Sequence, residues 1–192
     1  MIIKIRQFVC TILSLNKTRT ATGKLCVLQS FFFIVGGTGK AGPEIRDRRG
    51  RIMYTIKAGA EFDAAHFLKD YQGKCRNIHG HRWRVTAEVG SETLREDPQH
   101  RGMVEDFGDL KHVLRDLCGQ LDHSLIYETG SLKERTLEAF REEAFRLSEL
   151  PFRPTAENFA KYFYDLLKQK GFAVRRTEVF ETPDNCAAYE ET

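Results

Sequence analysis

No apolar run in the 192 residues approaches the roughly 18 that a membrane-spanning helix needs. The best stretch, Phe31 to Val35 preceded by Val27 and Leu28, is too short. Five cysteines, an odd number without framework spacing, argue against a disulfide scaffold and for a reducing, cytoplasmic compartment. There is no internal repeat, and Gly36 to Lys40 lacks the full spacing and flanking helix of a phosphate loop. A strong charge excess is also missing from most of the chain. The net +3 combines a first 50 residues with nine Lys/Arg against two Asp/Glu and a remainder with 21 against 25. The basic character therefore belongs to the N-terminal part and gives the main body no reason to bind nucleic acid. Neither a nucleic-acid nor a membrane partner is expected.

What is present begins at Met53. Residues 1–52 hold two interrupted apolar patches and a glycine-rich charged run, and are expected to be an N-terminal extension, disordered or upstream of the true start. Residues 53–192 read as one domain of ordinary size. Tyr54, Ile56, Ala58, Ala60 and Phe62 alternate as one face of a strand ending near His66, and a second strand runs from His79 to about Gly90. Asp106 is a good N-cap for a helix carrying Leu110, Leu114 and Leu117 and closing at Gly119. The charged stretch Ser131 to Leu150 predicts an extra helix. Pro154-Thr155 opens another, with Phe159, Phe163, Leu166 and Leu167 on one face and Gly171 as its stop. Two closing runs, Ala173 to Thr182 and Cys186 to Glu190, are strands. The expected architecture is α+β: a four-stranded antiparallel sheet with two main helices on one face.

The chemistry concentrates in Cys75-Arg76-Asn77-Ile78-His79-Gly80-His81. Residues i and i+2 of a strand share a face, so His79 and His81 can converge on one metal ion, with His66 from the first strand as a third ligand. Three imidazoles suit zinc. Cys75 has two readings: a fourth ligand that closes a structural site, or a free thiol, flanked by Lys74 and Arg76, that serves as base or nucleophile. Asp122-His123 places a carboxylate beside an imidazole, the pairing that tunes histidine for proton transfer, and adjacent residues can meet only on irregular backbone. Glu181 ends an apolar strand segment. Its carboxylate is either solvated there or placed to accept two N–H donors from an aminopyrimidine ring. Thr155 and Glu157 most plainly cap their helix.

Taken together, Phe62-Asp63-Ala64-Ala65-His66, the Cys75 to His81 run, Val104-Glu105-Asp106-Phe107, Leu121-Asp122-His123, Pro154 to Asn158 and Glu181-Thr182 resemble the 6-pyruvoyl-tetrahydropterin synthase family over roughly residues 54–190. Three residues between Cys75 and His79 resemble its bacterial 6-carboxy-tetrahydropterin synthase branch, which serves queuosine biosynthesis. The resemblance implies a tunnelling fold, whose barrel is completed when strands of several subunits pair in trimer-based oligomers, often hexamers, with active sites between subunits. It also implies a reaction: 7,8-dihydroneopterin triphosphate to 6-carboxy-5,6,7,8-tetrahydropterin, acetaldehyde and triphosphate. In that reaction zinc would sit on His66, His79 and His81. Cys75 and His123, oriented by Asp122, would move protons, and Glu181, with Thr155 as helper, would hold the pterin. Two competitors remain at this point: a pyruvoyl-forming or dihydroneopterin-cleaving paralogue, and a non-catalytic binding module whose zinc Cys75 closes. Ser131 to Leu150 exceeds the short connection common in the family, and residues 1–52 have no counterpart there.

Overall fold

A computed structural model describes residues 53–191; the expectations for residues 1–52 lie outside the described residues. Two long strands, β1 (Tyr54–His66) and β2 (His79–Ser91), form an antiparallel pair in unbroken register, with Phe62 opposite Trp83, Ala64 opposite His81 and His66 opposite His79. The alternation read from the sequence is realised as burial. Ala58, Ala60, Phe62, Ala64 and His66 of β1 and Trp83, Val85, Ala87 and Val89 of β2 point inward. The strand β5 (Val174–Thr182) pairs with β2, and β6 (Asn185–Tyr189) pairs with β5, both antiparallel.

Two helices cover the inward face. The first, α1 (Phe107–Leu121), starts at Asp106, whose carboxylate accepts the Gly108 N–H, and buries Leu110, Leu114, Leu117 and Leu121. The apolar stripe of α3 (Ala156–Gln169) buries Phe159, Ala160, Phe163 and Leu167. Trp83, with no exposed surface, is the centre of this core: it stacks on Phe62 at 6.1 Å and meets Phe159 edge-on at 5.0 Å. Burial of such large rings, worth roughly 1.5–3 kcal/mol per side chain, anchors the end of the sheet from which His79 and His81 project.

The sheet has six strands rather than the expected four. Beyond the antiparallel quartet, β3 (Ser124–Glu128) and β4 (Leu147–Leu150) extend it past β1, giving the order β4-β3-β1-β2-β5-β6. Both additions are parallel: β3 to β1 over Ala64 to His66, and β4 to β3. The expected helix in residues 131–150 exists only as α2 (Glu134–Glu142). Ala144, at φ 59°, turns the chain, and the remainder becomes β4. With α2 as crossover, β3 and β4 form a βαβ unit, which makes their pairing parallel. Four residues, Leu-Ser-Glu-Leu, are too few for alternation to mark a strand. No helix among the described residues is long and apolar enough to cross a membrane.

Candidate metal centre and the residues around it

At the C-terminal end of β1 and the N-terminal end of β2, three imidazoles face one another. Their ring centroids lie 4.5 Å (His66 to His79), 5.3 Å (His66 to His81) and 5.0 Å (His79 to His81) apart. The strands produce this directly: His66 and His79 are register partners, and His81 is two residues further along the same face. Backbone carbonyls then set the tautomers. Nδ1 of His66 lies 2.8 Å from the Pro154 carbonyl, and Nδ1 of His79 lies 2.8 Å from the Asn77 carbonyl. A carbonyl can only accept, so both Nδ1 atoms carry the proton and both Nε2 atoms present lone pairs. The Nε2 atoms of His66, His79 and His81 are all buried without a hydrogen-bond partner.

Three unpartnered, converging nitrogens are costly unless something binds them. Imidazoles whose other nitrogen is fixed by a backbone carbonyl are the usual form of histidine metal ligands. The donor set therefore fits a zinc-like cation. Burial pushes the His66 pKa down to about 4, against the partial opposition of the Pro154 carbonyl and with help from the His79 and His81 rings. The His81 pKa is also lowered, first by burial, with Glu181 opposing and His79 and Lys74 adding repulsion. Neutral imidazoles are what a metal requires.

Glu181 joins this group. One carboxylate oxygen lies 3.3 Å from Nε2 of both His66 and His81, and the four potential ligand atoms lie within 4.8 Å of one another. The strand places it there in two ways. Glu181 is two residues past the inward-facing Val179, and the β5–β6 register shifts between Phe180 and Thr182, a bulge that re-aims a side chain. The sequence gives no sign that a carboxylate expected at a pterin ring would approach the histidines.

Cys75 stands outside that set of four. It lies in a short 3-10 turn, Lys74–Arg76, and lines a cavity of about 330 Å³ together with His66, Glu181 and Thr155. Thr155 is the N-cap of α3, its hydroxyl accepting the Asn158 N–H at 3.4 Å. Thr155 therefore both caps the helix and faces the cavity. The preceding residue, Pro154, holds His66 through its carbonyl, a role that no side-chain pattern could announce.

Asp122 and His123 are paired as expected, with the carboxylate 2.9 Å from Nδ1 of His123, on backbone as irregular as adjacent residues need. His123 has a left-handed φ of 52°. Two reciprocal bonds to β1 hold this conformation: the Asp63 N–H donates to the Asp122 carboxylate at 2.8 Å, and the His123 N–H donates to the Asp63 carbonyl at 2.7 Å. The Asp63 N–H, followed by the His123 side chain, holds the Asp122 carboxyl below its ordinary pKa. The His123 ring lines a different depression, of about 710 Å³, with Asp63, Arg82, Phe140 and Phe145. Of the three histidines, only His81 borders that depression, and no residue lines both cavities. A single chain thus gathers His66, His79, His81, Glu181, Cys75 and Thr155, and presents His123 elsewhere.

Residues 55–192 match the sequence model of the family described as 6-pyruvoyl tetrahydropterin synthase. The chain is 29% identical over 142 residues to a 6-carboxy-5,6,7,8-tetrahydropterin synthase of Haemophilus influenzae, covering 72% of this chain and 100% of that one. It is 34% identical over 138 residues to the protein of that name from Aquifex aeolicus, covering 66% and 83%. Among solved structures, an uncharacterized protein of Wolinella succinogenes superposes with a TM-score of 0.63 at 23% identity, covering 73% of this chain and 99% of that one. The 6-pyruvoyl tetrahydropterin synthase of Plasmodium falciparum follows with 0.54 at 21%, covering 72% and 98%. At these identities the structural likeness speaks for the fold.

Proposed function

Since the chain belongs to the 6-pyruvoyl tetrahydropterin synthase family, we propose that it is a zinc-dependent lyase. Its reaction is the conversion of 7,8-dihydroneopterin triphosphate to 6-carboxy-5,6,7,8-tetrahydropterin with release of acetaldehyde and triphosphate, a step in queuosine synthesis. The observation that supports a metal-dependent reaction most directly is the convergence of three partnerless Nε2 atoms, two of them on rings whose opposite nitrogens are carbonyl-bound. When bound, zinc supplies a Lewis acid that polarises substrate oxygens and acidifies adjacent C–H and O–H groups. His66, His79 and His81 hold it, and the Pro154 and Asn77 carbonyls fix the rings of His66 and His79.

Cys75 faces the cavity bordered by His66, so its thiol is placed to exchange a proton with the substrate side chain. His123, oriented by Asp122, serves the opposite side of that side chain. Because it opens on a separate depression, the reading requires a neighbouring subunit to bring the dyad to the thiol, in a trimer-based oligomer. Glu181 is assigned to the aminopyrimidine edge of the pterin, with Thr155 beside it. A catalytic zinc keeps one position open, whereas a fourth protein ligand would close it.

Incubation with 7,8-dihydroneopterin triphosphate, with analysis of both products, tests the reading. The expected result is acetaldehyde and the carboxypterin. A pyruvoyl product in their place would move the chain to the neighbouring activity of the family. Cys75→Ala is expected to keep its zinc and lose about 10²–10⁴ in kcat, the usual contribution of a general acid or base; loss of zinc would support the binding-module reading instead. Glu181→Gln should keep zinc and raise KM.

A further inference from the structure

Asp122 is an awkward residue for its position. It is the C-cap of α1, where the helix dipole is negative, and the last turn of α1 carries no basic residue of its own. The final carbonyls of a helix also lack partners within it. Here three consecutive ones are taken by side chains from β3 and from the residues entering β4. The Arg146 guanidinium donates to the Gly119 carbonyl at 3.0 Å and to the Gln120 carbonyl at 2.9 Å. The Ser124 hydroxyl donates to the Leu121 carbonyl at 2.7 Å, and is itself met by the Ser148 hydroxyl at 2.8 Å. On the far side of the turn, the Leu125 N–H donates to the Arg146 carbonyl at 2.9 Å. Arg146 therefore grips the chain both before and after Asp122-His123.

We propose that Arg146 is a positioning residue for His123: it supplies in trans the cationic cap that α1 lacks and clamps the turn in which His123 adopts its left-handed backbone against Asp122. A guanidinium suits this task because the two hydrogens of its Nη2 serve two successive carbonyls while its permanent charge offsets the helix dipole. Without it, the end of α1 frays, the φ of 52° at His123 relaxes toward ordinary values, and the ring leaves its carboxylate. The role gives residues 131–150 a function that nothing else in the proposed chemistry does. It rests on the reading above in assigning proton transfer to His123, but its geometric half can be read without turnover.

The test uses the full-length, zinc-loaded protein with ¹⁵N-labelled histidine, whose six rings give a small set of signals assignable by substitution. In R146M the His123 ring N–H signal should collapse toward that of Asp122→Asn, with zinc content unchanged. Its kcat should fall about a hundredfold, the loss a misplacement of about 1 Å can bring, while KM stays near wild type. R146K, which keeps the charge on a more compact and more strongly hydrated ammonium, should lie between R146M and wild type in both measurements. A normal His123 signal with normal kcat in R146M overturns the proposal, and so does a displaced ring with undiminished kcat. Should R146M fail to fold, the same two readings in R146K decide. If wild-type protein does not turn over the pterin triphosphate, the reaction assignment fails, and an unmoved His123 signal in R146M is then what would sink the positioning claim.

Discussion

The histidine cluster and the Asp122-His123 turn, the two groups to which the proposed chemistry is assigned, are built on opposite principles. His66, His79 and His81 sit on two regular strands in unbroken register, and His66 is only 1% exposed. His123 sits on a left-handed residue between a helix and a short parallel strand, its side chain 78% exposed. Strand periodicity and core packing place the first group, and the Pro154 and Asn77 carbonyls fix two of its rings. Bonds to the Asp63 backbone of β1 hold the second, and the depression it lines is not the cavity that the thiol borders. Converging imidazoles need a rigid support, whereas the His123 ring stands at the surface.

The largest effect should separate the two regions outright. His81→Ala is expected to lose both zinc and activity, because two imidazoles cannot hold the ion as three do. His123→Ala should retain full zinc content and lose about 10²–10⁴ in kcat. Metal analysis alongside kinetics on the two variants makes the distinction. Loss of zinc from His123→Ala would mean that the turn and the cluster are one unit, joined through the depression that His81 and His123 both border.

The same contrast explains what is legible in the sequence. Alternation over thirteen residues in each long strand makes β1 and β2 visible, and the period of two alone puts His79 and His81 on one face, with His66 at the end of the facing strand. Asp106 and Thr155 announce their helices because a cap is a residue-type preference. The need for irregular backbone at Asp122-His123 is equally legible, since adjacent side chains cannot pair otherwise. What escapes are features carried by backbone atoms or by very short segments. The Pro154 and Asn77 carbonyls behind the histidines belong to no residue preference, β4 has four residues, and the approach of Glu181 depends on a bulge. The addition of β3 and β4 to the sheet escapes for the same reason: parallel strands of five and four residues pair by topology, not by pattern.

A smaller effect distinguishes the two regions by pH. In the metal-free folded protein, burial holds the His66 pKa at about 4 against an ordinary 6.5, so the unfolded chain takes up a proton that the folded one refuses. Stability from this source is complete above pH 6.5 and declines as the pH falls toward 4, by roughly 3 kcal/mol in all. Asp122, whose pKa is depressed below 3.8, loses its contribution only at lower pH, as its carboxylate is protonated. Urea unfolding of the apo-protein between about pH 7 and 4 should therefore show a slope that His66→Gln flattens and Asp122→Asn leaves intact. An unchanged slope in His66→Gln would place the titrating group elsewhere.

The smallest effect concerns Thr155, where cap and site meet. Its hydroxyl accepts the Asn158 N–H at 3.4 Å, a long bond, so Thr155→Ala should cost about 0.5–1 kcal/mol, the lower part of the range for an N-cap. The adjoining Pro154 carbonyl is the acceptor that orients His66, so slack at the start of α3 passes to the metal cluster but not to the Asp122-His123 turn. Thr155→Ala is accordingly expected to lower the melting temperature by a few degrees and weaken zinc affinity slightly, with the His123 ring unaffected. Thr155→Ser, which keeps the hydroxyl, should restore both. If it restores neither, the cap is not what links α3 to His66, because a hydroxyl at the same position would have re-formed it.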